Sequence, residues 1–170
     1  MHYENETHYE IERRFLIRFP DPEYLSAHAA ATDITQVYLT SESGDTDRVR
    51  KRGRDGEYSY THTVKHRISG VRRIEQEREI SGEEYGELLK NADPSLRCIE
   101  KRRWCLEYGG RLFEIDIFPF WTDRAIVEIE LTDEAQTLSF PPEIEVIREI
   151  TDDGRYTNVA LASAVPYDEI

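Results

Sequence analysis

Charges recur at every second position in six segments of this 170-residue chain: Glu10-Ile11-Glu12-Arg13-Arg14, Arg48-Val49-Arg50, Arg73 to Glu79, Lys101-Arg102-Arg103, Glu114-Ile115-Asp116 and Glu128-Ile129-Glu130. In a β-strand, residues i and i+2 share one face. One strand built this way needs nothing more than a solvated face. Six of them, aimed into the concave side of a strongly curved sheet, would place carboxylates on some strands beside Arg and Lys on others. Ile11, Val49, Ile115 and Ile129 would then face outward, beneath amphipathic helices. Burying so many charges is costly unless opposite charges, water, metal or ligand compensate. Polyphosphate handling needs both signs together: carboxylates hold Mg²⁺ or Mn²⁺ while Arg and Lys grip phosphate oxygens.

The elements that must position these residues are short and mostly strand-like. Strands are expected at 10–18, 34–40, 47–52, 58–66, 73–80, 98–108, 111–118 and 125–131. Pro20-Asp21-Pro22 opens a helix expected to run to Ala31 and to end near Asp33. Ser81 with Glu84 three residues on is a capping-box signal for a second helix, and 157–165 reads as a closing one. Gly109-Gly110 makes the clearest hairpin turn, and Gly53 to Gly56 another. About eight strands in hairpin order with helices between and after them predict an α+β fold with an antiparallel sheet or barrel.

Length and absence of internal repeats favour one domain over residues 1–170. The 35 acidic and 22 basic residues give a formal charge of −13 and a sequence pI near 4.8, which disfavours nucleic acid or an anionic membrane as partner. Of the basic residues 18 are Arg and 4 Lys, and the Arg fork suits carboxylate and phosphate. No apolar run reaches membrane-spanning length and the start is polar, so a cytoplasmic location is expected. Cys98 and Cys105 are too few and too far apart for a metal knuckle or a disulfide framework; Cys105 is assigned to packing within its strand.

Glu10-Ile11-Glu12-x-Arg14 resembles the ExExK signature of the CYTH superfamily, the triphosphate tunnel metalloenzymes. Further motifs follow in that superfamily's order: Arg48-Val49-Arg50, Thr63-Val64-Lys65, Glu75 to Ile80, Ile99-Glu100-Lys101-x-Arg103, Glu114-Ile115-Asp116, Glu128-Ile129-Glu130, Glu149-Ile150-Thr151 and Arg155-Tyr156-x-Asn158. The ordered set spans residues 9–161. The resemblance implies an eight-stranded antiparallel β-barrel tunnel with flanking helices that binds a linear triphosphate and acts on its terminal phosphate with Mg²⁺ or Mn²⁺. It implies metal-binding carboxylates at Glu10, Glu12, Glu128 and Glu130, with Asp116 a further contributor. It implies a phosphate clamp of Arg48, Arg50, Lys65, Lys101 and Arg103, joined by Arg14 and Arg73. Glu77 and Glu79 match a second acidic strand that would hold another metal or orient the attacking water, and Arg155 matches the C-terminal segment. A small homodimer is also in keeping with the resemblance.

Two departures matter. Arg14 stands where the signature has Lys, so a planar fork replaces a point charge. The His-Phe-x-Gly element of the class IV adenylyl cyclases is absent, only His2-Tyr3 and His8-Tyr9 preceding the acidic motif. The leading expectation is therefore hydrolysis of inorganic triphosphate. Cyclisation of ATP to cyclic AMP and a polyphosphate-binding module with weak catalysis are the alternatives. Trp104 has the opposite parity to Lys101 and Arg103, which assigns it to packing; His62 and His66 oppose Lys65 in the same way.

Overall fold

The computed structural model describes residues 8–9, 11–41, 45–69, 72–131 and 137–170, the side chains of 8, 9, 69, 72 and 73 excepted. Among these are ten strands and three α-helices: β1 (His8–Tyr9), β2 (Ile11–Arg18), α1 (Pro22–His28), β3 (Ala29–Tyr38), β4 (Thr46–Arg54), β5 (Glu57–Ser69), β6 (Arg72–Ile80), α2 (Gly82–Leu88), β7 (Ile99–Tyr108), β8 (Arg111–Ile117), β9 (Arg124–Leu131), β10 (Val146–Glu149) and α3 (Asn158–Ser163). The class is antiparallel α+β, as the hairpin order predicts. The eight expected strands are β2 to β9; the two-residue β1 and four-residue β10 are additions too short to carry a sequence period. No helix among the described residues is long and apolar enough to cross a membrane.

Two compact units divide the chain. One is built on Ile34–Glu100 and Gly154–Pro166, the other on Ile11–Asp33, Lys101–Asp153 and Tyr167–Ile170.

In the first unit the strands lie in the order β1-β6-β5-β4-β3, and β4, β5 and β6 form an antiparallel meander. The β4–β5 hairpin turns on Asp55-Gly56, both at positive φ (56° and 85°), the pair of conformations a type I′ turn requires. On one side of this sheet Leu39, Val49 and Ile80 form a small core with Val37, Tyr60, Tyr85, Leu88 and Leu89, so that α2 covers it. As the Ser81–Glu84 spacing predicts, the Glu84 backbone amide donates to Ser81 Oγ at 3.1 Å, satisfying one of the four amides that a helix start leaves unpaired. Thr157 caps α3 in the same way, accepting from the Ala160 amide at 3.2 Å.

The second unit orders its strands β7-β8-β9-β2-β10. Gly109 and Gly110, both at positive φ, close the β7–β8 hairpin as expected. Alternate residues of these strands build one apolar layer: Phe15 and Ile17 of β2, Leu106 of β7, Phe113 and Ile115 of β8, and Ala125, Val127 and Ile129 of β9, all buried. Each large side chain here contributes roughly 1.5–3 kcal/mol by leaving water. Trp104 packs against this layer, on the face its parity assigns.

One expectation fails at α1. The helix stops at His28 instead of reaching Ala31, and Ala29, at φ −130°, is already extended and opens β3. The run of alanines favours helix only weakly, while Thr32 and Ile34 are β-branched and sheet pairing decides the outcome.

Candidate functional site

The period-two charges fall on one face of each unit's sheet, opposite the apolar core. In the second unit the register sets Glu12 directly across from Glu130 and Arg14 across from Glu128 on β2 and β9. On the next pairs, Glu114 faces Glu128 and Arg103 faces Asp116. Four glutamates and one aspartate therefore share a face with Arg14, Lys101 and Arg103. Arg14 Nε donates to Glu128 Oε1 at 3.1 Å, whereas its buried Nη2 has no hydrogen-bond partner.

Asp116 is the anchor of the basic residues. Its Oδ1 accepts from Arg103 Nε at 2.8 Å, and its Oδ2 accepts from Arg103 Nη2 at 2.9 Å and from Lys101 Nζ at 2.8 Å. Burial alone would raise the Asp116 carboxyl, but the charges of Lys101 and Arg103 outweigh it and hold the group below the usual carboxylate range. Burial likewise pulls the Arg103 guanidinium down, and Asp116, Glu128 and Glu114 more than restore it. Arg103 also donates from Nη1 to Glu114 Oε2 at 2.9 Å and lies 3.5 Å from Glu128 Oε2.

The first unit presents three parallel rows across β4, β5 and β6: Thr46–Lys65–Glu75, Arg48–Thr63–Glu77 and Arg50–Thr61–Glu79. In the last two rows a basic residue on β4 and an acidic one on β6 flank a hydroxyl on β5; in the first the hydroxyl is on β4 and the lysine on β5. Thr63 Oγ1 donates to Glu77 Oε1 at 2.7 Å, and Lys65 Nζ stands 4.0 Å from Glu75 Oε2. Arg48 is buried and its Nε has no hydrogen-bond partner, while Arg50 Nη2 donates to Gln36 Oε1 at 3.0 Å. Burying a guanidinium N–H without an acceptor costs of order 1–3 kcal/mol or more, and an anion on this face would recover it.

Each unit thus brings its own predicted residues together: Glu12, Arg14, Lys101, Arg103, Asp116, Glu128 and Glu130 in one, and Arg48, Arg50, Lys65, Glu77 and Glu79 in the other. Arg155 does not lie on a strand; it is exposed in the short 3₁₀ turn Gly154–Tyr156, its guanidinium over the Tyr156 ring. Glu10 and the Arg73 side chain lie outside the described residues. Cys105 is half-buried, lies opposite Glu114 on β8 and has the parity of Arg103. His62 and His66 sit on the reverse face as expected, His62 Nε2 2.6 Å from Asp47 Oδ1 and His66 Nδ1 2.7 Å from Asp45 Oδ2. A cavity of about 380 Å³ is lined by Asp47 and His62 with Leu39, Thr40, Leu88, Lys90, Asn91 and Ala92. Gln36, one amide in the apolar run ITQVYLT, carries no signal in the sequence beyond ordinary strand polarity.

The acidic side chains on these faces present carboxylate oxygens, the donor type preferred by hard divalent cations. Glu12 and Glu130 are like charges directly opposed across a strand pair, an arrangement that such a cation would relieve. Among the described residues, no three of His, Cys, Asp or Glu already converge as a metal cluster. Glu128 is engaged by Arg14 and Asp116 by Arg103 and Lys101.

No family model matches the chain. Individual proteins do. The chain is 35% identical over 160 residues to an inorganic triphosphatase of Nitrosomonas europaea, covering 92% of this chain and 99% of that protein. It is 31% identical over 150 residues to an inorganic triphosphatase of Acetivibrio thermocellus, covering 88% and 90%. Among solved structures, the crystal structure of an inorganic triphosphatase aligns with a TM-score of 0.58 at 33% identity, over 92% of this chain and 96% of that one.

Proposed function

Because the chain belongs to the inorganic triphosphatase family of the CYTH superfamily, we propose that it hydrolyses a linear triphosphate, inorganic triphosphate foremost, with a divalent cation, Mg²⁺ or Mn²⁺. The observation that carries this reading is that in each unit clustered glutamates share a face with a buried arginine whose guanidinium N–H lacks an acceptor, Nη2 of Arg14 in one and Nε of Arg48 in the other. Such donors fit a small polyanion.

In this reading Glu10, Glu12, Glu128 and Glu130 hold the metal, with Asp116 contributing. Arg14, Arg48, Arg50, Lys65, Lys101 and Arg103 bind phosphate oxygens, with Arg73 and Arg155 assisting. When bound, the cation supplies neutralisation of the triphosphate charge. The basic residues hold the chain extended so that the terminal phosphorus presents one face to water. Glu77, held by Thr63, and Glu79 orient that water. Its oxygen bonds to the terminal phosphorus as the bridging P–O bond breaks, releasing orthophosphate and pyrophosphate. Residues 1–170 act as one catalytic domain, in a small homodimer in the cytoplasm.

Purified protein incubated with triphosphate, ATP or thiamine triphosphate, each with Mg²⁺ or Mn²⁺, decides the matter. Orthophosphate release from triphosphate that stops on chelation is the expected result. Cyclic AMP and pyrophosphate from ATP would replace the hydrolase with a cyclase, and tight binding without turnover would leave a binding module.

A further inference from the structure

We infer that Gln36 is a positioning residue for Arg50, a neutral amide that aims the guanidinium at phosphate without subtracting from its charge; the inference rests on the reading of Arg50 as a phosphate ligand.

Gln36 and Tyr38 stand two apart on β3 and so share a face. Gln36 is wholly buried (0% exposed) and Tyr38 nearly so (3%). A buried primary amide is tolerated only when hydrogen-bonded. Gln36 Oε1 accepts from Arg50 Nη2 at 3.0 Å, and Nε2 donates to the Tyr38 hydroxyl at 3.1 Å. The chemistry of the partners fixes this orientation of the amide. A guanidinium carries donors only, so it must meet the oxygen; the NH₂ group is left for Tyr38, whose hydroxyl oxygen can accept. Arg50 is thereby tied through Gln36 to a buried tyrosine on the neighbouring strand.

The contrast with Arg103 shows what an amide does that a carboxylate does not. Asp116 orients Arg103 through two hydrogen bonds but cancels its charge in a buried setting. Gln36 orients Arg50 through one hydrogen bond and adds no negative charge. A neutral amide leaves more of the guanidinium's charge for an anion than a carboxylate at the same distance would.

The test compares Gln36→Met, Gln36→Glu and Arg50→Ala, singly and with Gln36→Met combined with Arg50→Ala, in steady-state triphosphate hydrolysis and thermal melts. Gln36→Met keeps the volume and loses both hydrogen bonds. KM is expected to rise about tenfold, with kcat within about twofold. Gln36→Glu retains a partner for Arg50, so the melt is expected to stay within a few degrees of wild type while KM rises further. A residue with only a structural role would not separate those two readouts. In the Arg50→Ala background, Gln36→Met is expected to add nothing to KM. Wild-type KM in both Gln36 variants, with KM raised in Arg50→Ala, would overturn the inference and leave the phosphate reading standing. Wild-type KM in Arg50→Ala would remove the phosphate reading and the inference with it.

Discussion

Arg103 and Asp116 face each other directly across the β7–β8 hairpin and are joined by two parallel hydrogen bonds of 2.8 and 2.9 Å. Lys101 shares the same carboxylate, its side chain fully buried. Removing that carboxylate takes three charge-assisted hydrogen bonds from two buried cations. Asp116→Ala is therefore expected to cost about 3–5 kcal/mol in unfolding free energy, the range for breaking a buried ion pair from one side. Denaturant titration measures it, and a loss under about 1 kcal/mol would mean that Asp116 does not anchor the pair.

Glu130 is the opposite case. It is exposed and stands across from Glu12, so its charge is a liability in the metal-free protein. Glu130→Gln removes a like-charge contact, and the metal-free protein is expected to gain about 0.2–1 kcal/mol. The same change removes a proposed metal ligand, so the thermal shift on adding Mn²⁺ is expected to shrink and turnover to fall on the order of 10–100-fold. Stabilisation without metal combined with loss of metal response identifies a ligand. Unchanged metal response in Glu130→Gln would take Glu130 out of the metal set.

Much of this was legible because the side-chain period of a strand is two. Once Lys101, Arg103, Glu114, Asp116, Glu128 and Glu130 are read as strand residues, parity alone sorts them from Trp104, Ile115 and Ile129, and the structure keeps that sorting. The glycine pair at 109–110 fixed the hairpin for the same local reason. What resisted reading was non-local. The end of α1 is decided by strand pairing rather than by the alanines of its own segment. The Gln36–Arg50 contact joins residues fourteen apart on different strands, and nothing in either neighbourhood announces it. Likewise, the sharing of Asp116 by Arg103 and Lys101 depends on register, which a pattern of alternation leaves free.

Ile129 separates packing from chemistry most cleanly, since it lies between Glu128 and Glu130 yet points into the apolar layer and is fully buried. Ile129→Ala is expected to destabilise by about 2–5 kcal/mol through lost burial and the cavity left behind. At a temperature where the variant remains folded, kcat for triphosphate is expected to stay within about threefold of wild type. A variant of full stability and no activity would place Ile129 on the charged face and reverse the parity of β9.

Arg13 and Glu149 give a pH-dependent prediction away from the charged face. Arg13 Nη2 donates to Glu149 Oε1 at 2.6 Å and Nε to Oε2 at 3.0 Å. The hydrogen bonds from Arg13, opposed by partial burial and aided by Thr151, hold the Glu149 carboxyl below its ordinary value. A carboxylate depressed on folding adds stability above its unfolded pKa, and that contribution disappears as pH falls through the folded value. The pair is partly exposed, so Glu149→Gln is expected to cost about 0.5–1 kcal/mol at pH 7. The gap between wild type and variant is expected to narrow below about pH 4.5 and to close once Glu149 is protonated in both folded and unfolded chains. Urea midpoints of the two proteins, taken from pH 7 down to pH 3, follow that closure; a gap that stays constant across the range would show that Glu149 contributes through packing rather than charge.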